Sequence, residues 1–372
     1  MRVAYHSDSF AKKARFGLSR YAHSLRDGLA AEGVETLPFS TQSDFGDTPP
    51  DWLKETGFHR IRAPRKLIAP AWTALGIPRA EWMLPRFDLL HSIDVDYRAP
   101  TGKPWVVTVH DLGALVHPEF FSNAVPWLLR AYVRQMAAKA DRILCVSQST
   151  ANEVATLARV PLGDRLMVIE EGVDPEFFEQ PPVEALTLSE AVIPAETPFL
   201  LFAGSMNPRK NVRRVLQAYL RQLPGLRQHL VLVGSLGWDS DELRTELDAA
   251  RATGRVHMPG YVSDEVLRAL LWRADAYLYP SLYEGFGLPI LEAMASGCPV
   301  VAATNSSMPE IAGDAALLVD AENVDAISDA IGRVTSDTVL AADLREKGLA
   351  RARSFTWSET ARRTAQVYRE LV

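Results

Sequence analysis

Along this chain short apolar runs alternate with longer segments whose apolar residues recur at helical spacing, the pattern of parallel strands covered by helices. In the first half the strands are expected at Val3–Tyr5, Leu89–Ser92, Trp105–His110, Arg142–Val146 and Leu166–Ile169, with helices over Arg20–Ala31, closed by Gly33, and over Val125–Ala140. After Asp174 the alternation lapses. Residues 180–198 are polar and carry Pro181, Pro182, Pro194 and Pro198, which suits a linker. The alternation then restarts with strands at Phe199–Ala203, Leu230–Val233, Val256–Met258, Ala276–Tyr279 and Val300–Ala303. Helices are expected between and after them, at Val212–Arg221, Asp241–Arg251, Asp264–Arg273, Pro289–Ser296 and Val324–Val334. A last helical pattern, Trp357–Val372, lies beyond what the second sheet needs and is expected to pack on the first domain. The expected organisation is two α/β domains, 1–180 and 199–355, a linker at 181–198 and a returning helix at 356–372.

Composition supports two cores and narrows the partners. At 372 residues, 47% of them apolar, the chain can bury two separate interiors. Residues 1–180 hold 21 Lys/Arg against 22 Asp/Glu and the remainder 19 against 24, so neither half reads as a nucleic-acid binder. Cys145 and Cys298 each sit in an apolar stretch and read as small buried hydrophobes, in keeping with a reducing cytoplasm. The first ten residues lack the charged start and apolar core of a leader, and no run is long enough to cross a bilayer, so any membrane contact is expected to be peripheral.

The richest chemistry lies in the stretch 279–300, where a strand gives way to a glycine-containing loop and a short helix ending at Gly297. Pro289 suits the first helical turn, and Gly285 and Gly287 in the Gly285-Phe286-Gly287-Leu288 loop let backbone approach a ligand closely. A helix start of this kind favours a phosphate. Glu292, one turn in, is placed to hold a vicinal diol such as ribose, and Glu284 to bond sugar hydroxyls or steady positive charge at an anomeric carbon. The plainer alternative is two exposed glutamates around a turn. A second strand-to-helix junction carries Arg209 and Lys210, two cations near a helix start, where the dipole slightly disfavours them. They are suited to neutralising a departing diphosphate, the task a metal ion performs elsewhere.

In the first half, His110 and Asp111 end a buried strand at the edge where open α/β sheets bind ligands, with Asp111 placed to orient the ring; an ordinary satisfied histidine is the alternative. Asp94 and Asp96 form an aspartate pair of a metal-binding kind, but in a loop far from the phosphate motif, and no metal is expected there. Residues 60–87 carry Arg60, Arg62, Arg65, Lys66, Arg79 and Arg86 beside Trp72, Trp82 and Phe87, with Glu81 the only acid before Phe87. Two readings stand open for this segment: a surface that meets anionic lipid, or a solvated basic face whose prolines break any long amphipathic helix.

Glu284 and Glu292, with seven residues between them, in the setting Pro-Ser-Leu-Tyr-Glu-Gly-Phe-Gly-Leu-Pro, resemble the signature of family-4 retaining glycosyltransferases. Gly204–Asn211, Gly260-Tyr261-Val262, Pro309-Glu310 and Phe355-Thr356-Trp357 are similar to their family counterparts, so the resemblance covers most of the chain. It implies the GT-B fold, two Rossmann-like domains facing across a cleft, with the acceptor in the N-terminal domain and the nucleotide sugar in the C-terminal one. It further implies that Arg209 and Lys210 bind the diphosphate, Glu292 the ribose and Glu284 the transferred sugar, with Tyr261 and Val262 beside the base and His110 reaching the sugar. Gly17 and Ser19 resemble the family's glycine loop, with Ser19 where a second glycine is usual. Glu171 stands before Gly172 where Asn is usual, and Ser205 follows Gly204 where many relatives carry arginine.

The motif wording is nearest bacterial mannosyl and rhamnosyl transferases of polysaccharide assembly. The expected reaction is therefore metal-independent transfer of a hexose, with GDP-mannose as the first choice of donor, to a glycan or lipid-linked glycan. A nucleotide-sugar epimerase of the same plan, or a silent sugar-nucleotide binder, are the alternatives.

Overall fold

The computed structural model describes residues 1–10, 17–41, 51–63, 65–94, 97–121, 126–235 and 241–372. It divides into two compact units, one of Met1–Pro118, Asn123–Gly172 and Thr356–Val372, the other of Glu119–Ser122 and Val173–Phe355.

Among its described residues the first unit holds a seven-stranded sheet of β1 (Arg2–His6), β2 (Glu35–Ser40), β3 (His59–Arg60), β4 (Leu89–Ser92), β5 (Trp105–Val109), β6 (Arg142–Cys145) and β7 (Leu166–Val168). Their order is β3-β2-β1-β4-β5-β6-β7, every pair parallel. The central β5 is buried along its whole length, as a strand covered on both faces must be. Strands β2 and β3 escape the hydrophobic pattern, β2 because it reads Glu-Thr-Leu-Pro-Phe-Ser. Pro38 is tolerated there for a specific reason. Glu35 N donates to Met1 O and Phe39 O accepts from Ser7 N, so the odd residues face β1 and Pro38 faces β3. Strand β3 pairs only with Phe39 and Ser40, beyond the missing N–H.

Side chains alternate across this sheet. Trp105, Val107, Val109, Ile143 and Cys145 pack under the helices Arg65–Ala74, Pro126–Lys139 and Gln148–Ala158. The intervening His91 and Thr108 face the helices Leu18–Ala31 and Trp357–Arg369: Tyr21 Oη lies 3.3 Å from Thr108 Oγ1, and His91 bridges Tyr368 Oη at 2.6 Å and Thr108 Oγ1 at 2.9 Å. The helix Trp357–Arg369 thus belongs to the first unit. Thr356 caps it by accepting from Glu359 N, and it runs so close to Leu18–Ala31 that a Cβ on Gly28 would lie 2.6 Å from Ala361 Cβ.

The second unit holds, among its described residues, a six-stranded parallel sheet of β8 (Phe199–Ala203), β9 (His229–Val233), β10 (Val256–Gly260), β11 (Ala276–Tyr279), β12 (Val300–Ala303) and β13 (Ala316–Val319), ordered β10-β9-β8-β11-β12-β13. Leu200, Phe202, Leu230, Leu232, Leu278 and Val301 form the sheet side of its core. Both cysteines are buried and free.

The stretch expected as a linker, 181–198, differs from that expectation. It carries a helix, Val183–Val192, within the second unit, and the division between units falls at Gly172 and Val173. The prolines bracket this helix rather than break it, Pro182 as its N-cap and Pro194 just past its end. Arg273 fixes its C-terminus by donating to Ser189 Oγ at 2.7 Å and to the Ile193 and Pro194 carbonyls at 2.9 Å.

Candidate active site

In the second sheet the direction of connection reverses between β8 and β11, since β8 leads to β9 on one side and β11 to β12 on the other. The crevice beyond the carboxyl ends of two such strands is where open α/β sheets take ligands. Arg209 and Lys210 come from the turn after β8, and Glu284 from the loop after β11. The three side chains meet. Lys210 Nζ lies 2.7 Å from Glu284 Oε1 and Arg209 Nη1 2.6 Å from Glu284 Oε2, so each carboxylate oxygen takes one cation. Lys210 also donates to Tyr279 Oη, and Arg209 donates to the Tyr283 carbonyl at 2.7 Å.

The backbone that delivers these groups is held by residues the sequence did not single out. Asn207 accepts from Lys210 N and closes the turn Pro208–Lys210; Asn211, left-handed at φ 61°, donates to the Pro280 and Ala321 carbonyls at 2.9 and 2.7 Å. From the loop after β12, Ser306 Oγ accepts from Glu284 N at 3.0 Å, and Ser307 Oγ faces the carbonyls of Glu284 and Phe286 at 3.0 and 2.6 Å. A readable signal existed, because Asn305-Ser306-Ser307 follows a buried strand at the same sheet edge as the glutamate motif. Gly204 and Gly234 let the ends of β8 and β9 touch. A Cβ on Gly234, at φ +129°, would sit 2.0 Å from Gly204 O.

Burial opposes the charge on Glu284, but the adjacent Lys210 and Arg209 outweigh it and hold the carboxyl down from 4.5 to about 2. Burial likewise pulls the Lys210 ammonium below its ordinary value, against the pull of Glu284. Glu284 is thus an ionised carboxylate held between two cations. The helix Leu288–Ala295 starts directly behind this cluster. Its N-cap is Gly287 at φ +116°, with no side chain ahead of the first turn, and a positive helix start favours an anion. Glu292 is buried one turn in, within electrostatic reach of Lys210 and Tyr277. Gly260, whose carbonyl accepts from Gly234 N at 2.8 Å, brings the turn at Tyr261 and Val262 to this same edge, with the Tyr261 ring exposed.

In the first unit His110 follows β5. Its Nδ1 lies 3.0 Å from Glu171 Oε1 and its Nε2 3.1 Å from the Ile93 carbonyl. Burial alone would lower its pKa; the hydrogen bond and charge of Glu171, with Asp94 and Asp111 behind it, raise it above the ordinary value. The expectation that Asp111 orients the ring is corrected here: Asp111 turns to accept from Gly113 N at 2.9 Å, and Glu171 and the Ile93 carbonyl set the ring instead. Glu171 was legible only as a departure at the position before Gly172. Gly172 itself is a close backbone approach, since a Cβ there would lie 2.2 Å from Trp357 N.

Asp94 is consumed structurally, accepting from Asp8 N at 2.9 Å and Ser9 N at 2.8 Å, while Asp96 lies outside the described residues. Gly17, at φ +44°, precedes the helix Leu18–Ala31, and Ser19 is buried in its first turn; Phe16 lies outside the described residues. Within 60–87 the aromatic set divides, with Trp72 and Phe87 in the core and Trp82 exposed, because Trp72 lies on the inner face of its helix.

Residues 17–177 match the family model described as Glycosyltransferase Family 4, and residues 187–351 that described as Glycosyl transferases group 1. The chain is 32% identical to the O-antigen chain mannosyltransferase B of Escherichia coli over 376 aligned positions, covering 95% of this chain and 96% of that protein. It is 31% identical to the MMP alpha-(1->4)-mannosyltransferase of Mycolicibacterium hassiacum over 295 positions, 74% of this chain and 67% of that protein. Among solved structures, a sucrose-phosphate synthase from Thermosynechococcus elongatus superposes with a TM-score of 0.78 at 23% identity, covering 100% of this chain and 98% of that one, a likeness of fold. Matched along nearly its whole length by a relative of this kind, and carrying a parallel Rossmann-like sheet in each unit, the chain belongs to the group 1, family-4 glycosyltransferases of GT-B fold.

Proposed function

We propose that this glycosyltransferase moves mannose from GDP-mannose, with retention of anomeric configuration and without a metal ion, to a glycan or lipid-linked glycan acceptor. The observation that carries the reading is the pairing of Arg209 and Lys210 around Glu284 beside an uncapped helix start. Arg209 and Lys210 are suited to a diphosphate, and positive charge placed where negative charge develops lowers the barrier to its departure. The helix start adds backbone donors, Glu292 holds the ribose and Glu284 the sugar. The bond from the anomeric carbon to the β-phosphate oxygen breaks, the acceptor oxygen bonds on the same face, and its proton passes to the departing phosphate oxygen. The choice of mannose rests on the two mannosyltransferases to which the chain is similar.

The test is nucleoside diphosphate release from GDP-, UDP-, dTDP- and ADP-sugars, with and without free or lipid-linked glycans and with EDTA throughout. Acceptor-stimulated, EDTA-resistant release from GDP-mannose is expected. Release from another donor overturns the mannose assignment, and loss of activity in EDTA overturns metal independence. Wild-type rates in folded Lys210→Ala and Glu292→Ala proteins overturn the site.

A further inference from the structure

Tyr277 and Tyr279 lie on β11, and the alternation of a strand turns both to the face of the sheet opposite Leu278 and its apolar core. Both rings are buried, and they stack with centroids 5.7 Å apart. A buried phenol hydroxyl costs stability unless it is bonded, and the two hydroxyls are used differently. Tyr277 Oη donates to the Ala203 carbonyl at 3.0 Å and so ties β11 to the end of β8. Tyr279 Oη instead accepts from Lys210 Nζ.

Lys210 reaches that hydroxyl along a defined path. It closes the turn Pro208–Lys210, and its stem passes Gly204, where a Cβ would lie 3.7 Å from Lys210 Cε. The ammonium then lies 4.4 Å from the centre of the Tyr279 ring and 2.7 Å from Glu284 Oε1. An ammonium has three protons. One goes to the carboxylate and one to the phenol oxygen. With those two bonds made, tetrahedral geometry at Nζ fixes the direction of the third N–H.

The carboxylate alone would leave the ammonium able to turn about a single bond. The phenol suits the second bond because it stays neutral: burial first, and then the charge of Glu284, push it well above the ordinary phenol value, so its oxygen accepts without adding a charge. Besides Glu284, the charged groups that act on Lys210 are Arg209, which opposes its charge, and Glu292, which favours it. A phenylalanine at position 279 would fill the same volume and keep a ring beside the ammonium. Packing therefore accounts for the ring and leaves the hydroxyl to be explained by Lys210.

We propose that Tyr279 is a positioning residue for group transfer, its hydroxyl orienting the Lys210 ammonium so that the third N–H meets the departing phosphate oxygen. The role in transfer rests on the transferase reading, whereas the orienting of Lys210 is read without any sugar donor. A donor aimed where negative charge develops acts on the transition state more than on the bound substrate, so the hydroxyl is expected to show in kcat rather than in KM.

The experiment compares Tyr279→Phe with the wild-type full chain in two measurements, turnover of GDP-mannose and the titration of Lys210. The titration is followed by the carbon chemical shift of labelled lysine Cε, assigned with Lys210→Met. Tyr279→Phe is expected to lower kcat roughly tenfold or more while the donor KM stays within about threefold. It is also expected to move the Lys210 titration, and with it the alkaline limb of kcat, to lower pH, because the ammonium loses an acceptor that favours its charged form. Tyr277→Phe removes the neighbouring hydroxyl for comparison, and is expected to lower the thermal midpoint and leave the Lys210 titration where it is. Wild-type kcat in Tyr279→Phe, an unmoved Lys210 titration, or a loss confined to KM overturns the proposal. An equal shift of the titration in both variants overturns it too, because the cause is then loosened packing. If the wild type turns over no sugar nucleotide, a titration that still falls in Tyr279→Phe alone upholds the orienting of Lys210 and counts against the transferase reading.

Discussion

His110 and Glu171 face each other at 3.0 Å, and because the other ring nitrogen of His110 faces the Ile93 carbonyl, both nitrogens look at acceptors. Such a ring is satisfied only when both nitrogens carry protons. In Glu171→Gln the amide can donate to Nδ1, so the neutral tautomer becomes the satisfied one. His110 is expected to titrate above 6.5 in the wild type and below it in the variant, read by nitrogen chemical shifts of the labelled imidazole. The sign for stability follows. A raised folded pKa contributes stability that is full below 6.5 and is lost as pH rises through the folded value. The gap in thermal midpoint between wild type and Glu171→Gln is therefore expected to be widest in acid and to close in alkali; a gap constant across pH refutes the ion pair.

Glu284 carries the opposite sign. Its carboxyl is depressed from 4.5 to about 2, so its pairing contributes stability above pH 4.5 that is lost as pH falls toward 2. Lys210→Met removes one of the two cations and is expected to move acid unfolding to higher pH. The same substitution is expected to slow donor turnover by roughly 10²–10³-fold, the usual effect of removing one group that stabilises a departing anion. An acid-unfolding curve superimposable on the wild type would show that Lys210 does not hold Glu284.

Gly28→Ala tests the close approach of the helix Trp357–Arg369 to Leu18–Ala31. The new methyl would meet Ala361 Cβ at 2.6 Å, and neither backbone has a flexible side chain to yield. A loss of about 1–3 kcal/mol in denaturant unfolding is expected, as for overpacking in a well-packed interior. Pairing it with Ala361→Gly is expected to restore part of the loss; no recovery would place the strain elsewhere.

The sheet edges were legible in the sequence wherever a strand is a continuous apolar run. Phe199–Ala203, Ala276–Tyr279 and Val300–Ala303 appear with the bounds the pattern implies, since burial on both faces leaves no polar position to obscure them. Strands β2, β3 and β13 were not legible: Pro38 interrupts the first, the second has two residues, and the third lies at the sheet margin, where only Val319 is fully buried. The cluster of Arg209, Lys210 and Glu284 was foreseeable as three separate candidates. That each oxygen of Glu284 takes one cation depends on two loops 74 residues apart and on Ser306 and Ser307, whose small polar side chains carry no periodic signal. Asp111 misled because it is adjacent in sequence to His110, whereas the partner that reaches the ring is 61 residues away.

The helix Trp357–Arg369 follows the whole second unit in the chain yet completes the first. During synthesis the second unit therefore has all its residues before the first does, and the surface of Leu18–Ala31 around Gly28 waits uncovered until residues 357–369 emerge. A chain cut short before Thr356 would carry one finished body and one with an open apolar flank. That interval is where a chaperone has something to hold and where aggregation has its opportunity.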